Sequence, residues 1–190
     1  WSSDVCSSDL EVYGAEGEMD KTVLEGVIAP LEHMLRNSLA HGIEKDRKAC
    51  NKDAQGIIKL NVQREATEVI ISVEDDGVGI NRPKVHQLAV AKGLIKEGAR
   101  LSDENIDRLI LYSGFSTVDQ VSKLAGRGVG MDVVNNQINL LGGSLDIEST
   151  PKVGTKFHIR LPYTLALSNA LLVEISETVY AVPVTGLEGI

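Results

Sequence analysis

The chain has 190 residues, 43% of them hydrophobic and 24% charged, and a formal net charge of −8. This composition is typical of a soluble globular protein with one domain, or with one domain and part of another. The acidic balance argues against a general nucleic-acid binder, because such proteins normally carry a basic patch. No signal peptide is legible, and no apolar run approaches the roughly 18 residues that would predict a membrane-spanning helix.

The two cysteines, Cys6 and Cys50, are far apart and follow no metal-ligand spacing. We therefore expect neither a zinc site nor a disulfide framework, and a reducing, cytoplasmic location is the default.

Residues 1–10 are rich in Ser and Asp, contain the only Trp, and show neither helical nor strand periodicity. We interpret them as a non-native leader or, alternatively, as a disordered native arm, and set them apart from a domain that begins at residue 11.

Two helical segments are predicted before residue 43. Asp20 is suited to cap the first, whose apolar positions continue toward Pro30. The second covers residues 31–42, because Pro30 suits a first helical turn and Gly42 suits a C-terminal stop.

The second helix carries an unusual polar stripe. His33, Asn37 and His41 recur every four residues, beside an apolar stripe with the same spacing. An amide flanked by two imidazoles indicates a ligand site. The alternative is an amphipathic helix whose polar face happens to hold two histidines.

Strand periodicity follows a charged loop. Ile58, Leu60 and Val62 alternate with polar residues, and a continuous apolar run occupies residues 69–73. The pattern predicts an antiparallel hairpin whose second strand is the more deeply buried.

That buried strand ends in Glu-Asp-Asp-Gly-Val-Gly-Ile at residues 74–80. A carboxylate at this position is costly to desolvate unless a donor binds it, and the exocyclic amino group of a purine is such a donor. The glycines would permit close approach of the backbone to a ring. A ligand site is therefore favoured over the alternative, a plain acidic loop with flexible glycines.

Helices and strands continue to alternate further along the chain. Helices are predicted from about residue 83 to residue 92, after Ser102, and from residue 131 until Gly142 and Gly143 end the last one. A mobile loop with a short helix is expected over residues 118–125. Residues 144–149 and 154–161 predict a second hairpin.

The helix at residue 131 is preceded by the glycine-rich turn Gly-Arg-Gly-Val-Gly-Met, residues 126–131. Such a turn suits an anion, because unpaired N–H groups and the helix dipole both favour negative charge. Alone, the motif is weak. It lacks the Lys-Ser/Thr ending of a P-loop, and it does not follow a buried parallel strand as the Rossmann fingerprint does.

The order of these motifs is more specific than any one of them. An Asn on a helix, an Asp-x-Gly-x-Gly after a strand, a Gly-x-Gly-x-Gly opening a helix and then Gly154-Thr155 together resemble the Bergerat-type ATP-binding fold of the GHKL superfamily. Residues 33–44, 113–117 and 126–134 are similar to the asparagine box, lid and second glycine box of CheA-type chemotaxis histidine kinases. The resemblance covers residues 11–163 and implies an α/β (α+β) two-layer sandwich with helices on one face of a mixed sheet.

The resemblance also implies roles for single residues. Asp76 would accept a hydrogen bond from the adenine amino group, supported by Thr155. Asn37 would ligate Mg²⁺, with His33 as a further metal ligand and His41 near the phosphates, and these three residues would form the catalytic group. The residues expected to bind the nucleotide are Arg36, Asn37, His41, Asp76, Gly77, Gly79, Ile80, Lys84, Ser116, Thr117, Gly126, Arg127, Gly128, Val129, Gly130, Met131 and Thr155.

Two features depart from the family pattern. Ala40 stands where many members have Asp. The sequence Leu-Glu-His-Met-Leu-Arg-Asn at residues 31–37 resembles the type IV pilus branch of the family. Lys84 and Lys92 are available for the expected phosphate contacts, and the alternative for both is an exposed helix lysine.

From about residue 164 the chain changes character. Residues 165–175 and 179–184 predict two strands that resemble the start of a CheW-like regulatory domain, an SH3-like barrel that would be incomplete over residues 164–190.

The resemblance implies that the chain transfers the ATP γ-phosphoryl group to a histidine on a separate phosphotransfer domain. None of His33, His41, His86 and His158 is expected to be the acceptor. Expected partners are that domain, a CheW-like adaptor with a chemoreceptor, a downstream response regulator, and a second copy joined through a helical domain absent from this chain. Neither nucleic-acid binding nor membrane insertion is expected. The alternatives are a non-catalytic kinase-derived scaffold and a MutL- or gyrase-like ATPase.

Overall fold

A computed structural model describes residues 8–14, 19–44, 46–47, 50–115, 130–163, 170–175 and 178–183. Five strands form one sheet in the order β1-β2-β3-β5-β4, with β1 parallel to β2 and the other neighbours antiparallel. The mixed sheet agrees with the expected α/β class. Its strands are β1 (Ser8–Tyr13), β2 (Gly56–Glu65), β3 (Glu68–Asp75), β4 (Ser144–Thr150) and β5 (Gly154–Pro162).

The helices begin with side-chain caps in three cases. Asp20, Asn81 and Ser102 each accept a backbone N–H from the first turn of the helix that follows. Within the described ranges, no helix combines the length and the apolar character needed to cross a bilayer. The helices are α1 (Lys21–Asn37), α2 (Arg82–Ala91), α3 (Asp103–Arg108) and α4 (Met131–Leu140).

The core lies on one face of the sheet. Side chains alternate along each strand, so Val69, Ile71 and Val73 of β3 are buried on the same face. The apolar stripes of α1 and α4 pack into the same core, which includes Met34 and Ile138. At one end of this face the cross-strand pairs change from apolar to polar residues, in the row Ile58, Asp75, Thr155 and Ser149.

The first two predicted helices are one continuous helix, so the prediction of a new helix after Pro30 is wrong. Pro30 lies inside α1 and is fully buried. A proline in a helix interior removes one backbone hydrogen bond, here the one to the carbonyl of Gly26. Burial of the ring in the core offsets part of this cost.

The segment Ser38–Gly42 continues α1 as a π-helical turn. The Ile43 N–H donates to the carbonyl of Ser38 at 2.8 Å, so the hydrogen bond spans five residues. Sequence periodicity predicted a regular helix here. A π-turn is wider than an α-turn and is common at functional sites.

Strand β1 was not predicted. It includes Ser8, Asp9 and Leu10, which show no strand periodicity, and it pairs in register from Ser8 with Gly56 to Tyr13 with Asn61. The strand lies at the sheet edge and none of its side chains is fully buried, so its sequence does not need to alternate.

Two further strands, β6 (Ala170–Ile175) and β7 (Thr178–Pro183), form a separate antiparallel hairpin. This confirms the two predicted strands near the end of the chain. The loop predicted for residues 118–125 lies outside the described residues.

Candidate functional site

A cavity of about 490 Å³ opens at the polar end of the core. Its walls are the C-terminal part of α1 with the π-turn, the segment after β3, and the start of α4. The lining residues are His33, Asn37, Ser38, His41, Gly42, Asp75, Val78, Gly79, Ile80, Asn81, Lys84, Ile110, Phe115, Gly130, Met131, Thr155 and Phe157.

Asp75 is the buried acid of this cavity, with only 4% of its surface exposed. The Ser38 hydroxyl donates to one carboxylate oxygen at 2.9 Å, and the Gly77 N–H donates to the other at 3.0 Å. A carboxylate has about four lone-pair sites, so these donors leave capacity for a ligand donor. Burial raises the pKa of Asp75, although the hydrogen bonds from Ser38, Gly77 and Thr155 oppose this effect.

Asp76 does not line the cavity, so the sequence-based choice between the two acids was wrong. Its carboxylate accepts the Ile57 N–H at 2.9 Å and an Arg47 N–H at 2.6 Å on the opposite side of the turn. Alternation along β3 contained the missing signal, because Asp75 lies on the same face as Val73.

The two glycines of this turn have different surroundings. Gly79 lines the cavity with a φ of 75°, and an added Cβ would lie 2.7 Å from the carbonyl oxygen of Thr150. Gly77 does not line the cavity. A Cβ there would lie 2.0 Å from the carbonyl oxygen of Gly42, so Gly77 allows the turn to pack against the end of the π-turn.

The polar stripe of α1 faces the cavity as expected, with His33, Asn37 and His41 all in its wall. The Asn37 side-chain amide donates to the Met131 sulfur at 3.1 Å, which directs its nitrogen toward α4 and leaves the amide oxygen free of this contact. Burial, with a smaller contribution from Arg36, lowers the pKa of His33, so this imidazole is neutral at neutral pH.

The other predicted residues divide into three groups. Arg36 is exposed and, like Asp76 and Gly77, does not line the cavity. Six predicted residues lie outside the described residues: Ser116, Thr117, Gly126, Arg127, Gly128 and Val129. The cavity wall contains Ile80, Lys84, Gly130, Met131 and Thr155.

Of the cavity residues that sequence reasoning did not select, Ser38 and Asp75 matter most, because they are hydrogen-bonded to each other. Ser38 is buried and follows Asn37 directly. Ser38 stands four residues after the buried Met34, so helical periodicity places it on the core face, where its hydroxyl donates to Asp75.

Comparison with solved structures supports the fold. The chain superposes on the catalytic domain of the histidine kinase ThkA with a TM-score of 0.50 at 20% identity, covering 83% of this chain and 80% of that one.

Sequence comparison gives closer relatives. The chain is 43% identical over 180 residues to chemotaxis protein CheA of Rhizobium meliloti and 46% identical over 180 residues to that of Cereibacter sphaeroides. Each alignment covers 94% of this chain but only 24% and 26% of those proteins, so the chain spans about a quarter of their length. The model of the histidine kinase-, DNA gyrase B- and HSP90-like ATPases matches residues 26–165. The chain therefore belongs to this ATPase family.

Proposed function

We propose that this chain is the ATP-binding catalytic domain of a CheA-type histidine kinase, which transfers the γ-phosphoryl group of ATP to a histidine on a separate phosphotransfer domain. The observation that carries the proposal is the buried Asp75 carboxylate in a cavity that Asn37 also lines. The family and the CheA relatives support the same reading.

Adenine would bind at the strand end of the cavity. Asp75 is an acceptor with capacity for one more donor, and the 6-amino group of adenine is a donor of the right kind. Thr155 pairs directly with Asp75 across the sheet and lines the same cavity, so its hydroxyl would support the same ring edge.

The phosphates would lie toward the start of α4. Among the described residues no side chain caps α4, which begins after Gly130, so its first N–H groups can receive an anion, and the helix dipole favours one there. Lys84 lines the cavity and can add positive charge. By family resemblance, Ser116, Thr117 and the glycine-rich residues 126–129 would close over the triphosphate.

Mg²⁺ fits the donors on the α1 wall. Its preferred ligands are oxygens, and it is usually held by one or two side chains together with substrate phosphates. Asn37 offers an amide oxygen. The described residues contain no cluster of three or more His, Cys, Asp or Glu that could hold a metal ion by itself. When bound, the ion would neutralise phosphate charge. His33, one turn before Asn37, would be a further metal ligand, and His41, one turn after it, would lie near the phosphates.

Catalysis would rest on positioning and electrostatics, because phosphoryl transfer asks for little covalent chemistry from the protein. The family resemblance assigns the acceptor histidine to another domain. In this chain His33 and His41 line the cavity and His86 contacts the carbonyl of Ala99. His158 lies 3.7 Å from the Glu148 carboxylate.

The wider assignments extend the same proposal. The hairpin β6–β7 would begin a CheW-like regulatory domain. The boundary expected at residue 11 moves, because Ser8, Asp9 and Leu10 pair with β2, so the catalytic domain would include residues 8–163. The partners would be an adaptor, a chemoreceptor, a response regulator and a second copy joined through a helical domain. The location would be cytoplasmic, and the pilus branch is the preferred subfamily.

Exchanging one acid of the turn should weaken nucleotide binding strongly, and exchanging the other should not. We expect Asp75→Asn to weaken binding of a non-hydrolysable ATP analogue by about tenfold to a hundredfold, because a hydrogen bond to a charged acceptor contributes about 1.5–3 kcal/mol. Asp76 does not line the cavity, so the affinity of Asp76→Asn for the analogue should stay within about twofold of that of the unmodified chain. Isothermal titration calorimetry measures both, and unaltered binding by Asp75→Asn would contradict the adenine assignment.

Asp75→Asn should not cost stability at neutral pH. The pKa of Asp75 is raised in the folded state above its ordinary value in the unfolded chain, so between these two values the folded protein binds more protons than the unfolded one. Stability therefore falls as the pH rises through this window, and above it the ionised carboxylate opposes folding.

The variant should consequently match the unmodified chain in Tm at low pH and equal or exceed it at neutral pH. Asp146→Asn is the control with the opposite pH dependence of Tm. Arg108 lowers the pKa of the Asp146 carboxyl group, so this variant should lose Tm at neutral pH and less at low pH. A loss of Tm for Asp75→Asn that is the same at both pH values would argue against this account.

Replacing Asn37 should separate metal binding from base binding. We expect Asn37→Ala to remove most of the Mg²⁺-dependent gain in nucleotide affinity, roughly tenfold for one lost oxygen ligand, while affinity in EDTA changes little. His86→Ala, outside the cavity, is the control. An equal loss of affinity with and without Mg²⁺ would argue against Asn37 as a metal ligand.

Phosphoryl transfer itself is tested by mixing the chain with a CheA phosphotransfer domain and labelled ATP. We expect acid-labile phosphohistidine on the added domain, little label on this chain, and none when the acceptor histidine is replaced by Gln. If the unmodified chain binds ATP and the added domain remains unlabelled, a scaffold role replaces the kinase.

A further inference from the structure

Two carboxylates follow each other at the end of β3, and only one of them can face the nucleotide cavity. We propose that Arg47 is a positioning residue that holds the Asp76 carboxylate away from the cavity and thereby sets Asp75 as the base-recognising acid. The inference rests on the proposed function, because it concerns the selectivity of the same site.

Arg47 is the centre of a buried ionic cluster behind the turn. Only 3% of its surface is exposed. Its guanidinium donates to the Asp76 carboxylate at 2.6 Å, to the Glu44 carboxylate at 3.0 Å and to the carbonyl of Asp53 at 2.7 Å. A planar guanidinium with partners on three sides has a fixed orientation, so it fixes the Asp76 side chain in turn.

Lys52 attaches the backbone of the same turn to this cluster. Its ammonium donates to the carbonyls of Asp76 at 2.5 Å and Gly77 at 2.6 Å, and to the Glu44 carboxylate at 2.7 Å. Arg47 and Lys52 thus balance the charges of Glu44 and Asp76, as buried or partly buried ions require.

Asp76 has a second anchor in strand β2. Its carboxylate accepts the Ile57 N–H at 2.9 Å, and its own N–H donates to the Ile57 carbonyl at 3.2 Å. The side chain of Asp76 is therefore bound on the far side of the turn by one ionic and one backbone donor. The Gly77 N–H, held in the same turn, is then directed at Asp75.

Without Arg47, the Asp76 carboxylate would lose the guanidinium that balances its charge while remaining next to Asp75. Two adjacent like charges disfavour ionisation of both groups, and Asp76 already contributes to raising the pKa of Asp75. Asp75 would become a weaker and less well-oriented acceptor. The expected result is a loss of discrimination between bases, in addition to any loss of stability.

The experiment compares dissociation constants for non-hydrolysable ATP and inosine triphosphate analogues. Hypoxanthine presents a carbonyl where adenine presents its amino group, so a fixed, ionised Asp75 should disfavour it by roughly tenfold or more. We expect Arg47→Met to reduce this selectivity ratio several-fold. Arg108→Met, which breaks an exposed ion pair with Asp146, is the control and should leave the ratio unchanged.

The double variant Arg47→Met/Asp76→Asn separates positioning from a purely structural role. The introduced amide would keep an acceptor for the Ile57 N–H without the negative charge, so we expect the selectivity ratio to recover. Asp76→Asn alone should keep the ratio of the unmodified chain. If Arg47→Met fails to fold, Arg47→Lys is measured instead. Lysine keeps the positive charge but lacks the planar guanidinium that binds several partners in a fixed geometry.

Two results would overturn the inference. One is an equal weakening of both analogues in the Arg47 variants, and the other is a ratio that does not recover in the double variant. If Asp75→Asn weakens ATP binding at least about tenfold in the same series, the proposed function survives either result. ATP binding that is unaltered in Asp75→Asn would overturn the function and the inference together.

Discussion

The architecture depends on keeping the Asp75 carboxylate almost completely out of water at the end of a central strand. A carboxylate in that environment is costly unless several donors bind it. The donors here come from the end of α1, from the turn after β3 and from β5, through Ser38, Gly77 and Thr155. Three elements must therefore meet at one point, and the cavity is the space that remains in front of it.

Several irregular features follow from that meeting. The π-turn begins at Ser38, which binds the carboxylate, and it ends at Gly42, where a Cβ would lie 3.0 Å from a carboxylate oxygen of Asp75. Gly77 packs against the carbonyl of Gly42 so closely that no side chain fits between them. The local departures from regular helix and turn geometry thus serve a single purpose, which is to place donors and backbone around one charge.

Sequence reasoning found the parts of this arrangement that depend on local patterns. The hairpins, the capped helices and the stripe of His33, Asn37 and His41 all follow from periodicity and capping residues. It was wrong at Pro30, because burial in the core overrode the usual preference of proline for a first turn. It missed β1, because an exposed edge strand needs no alternation.

The choice between Asp75 and Asp76 shows why the rest of the site was harder to predict. Strand alternation places Asp75 on the same face as Val73, but the side-chain partners of both acids lie far along the chain. Arg47 and Ile57 bind Asp76, while Ser38 binds Asp75, and none of these partners forms a motif with the acids. Long-range pairing of this kind becomes visible only in three dimensions.

The wide separation of these partners along the chain also bears on how the protein folds. Ser38 and Asp75 are 37 positions apart, and Thr155 joins them only when β5 has paired with β3. Contacts of such long range form late, since the entropy of closing large loops must first be overcome. The cavity therefore does not exist in a partly folded chain. Any molecule that occupies it binds the fully assembled sheet alone, and by mass action its presence draws the folding equilibrium toward that state.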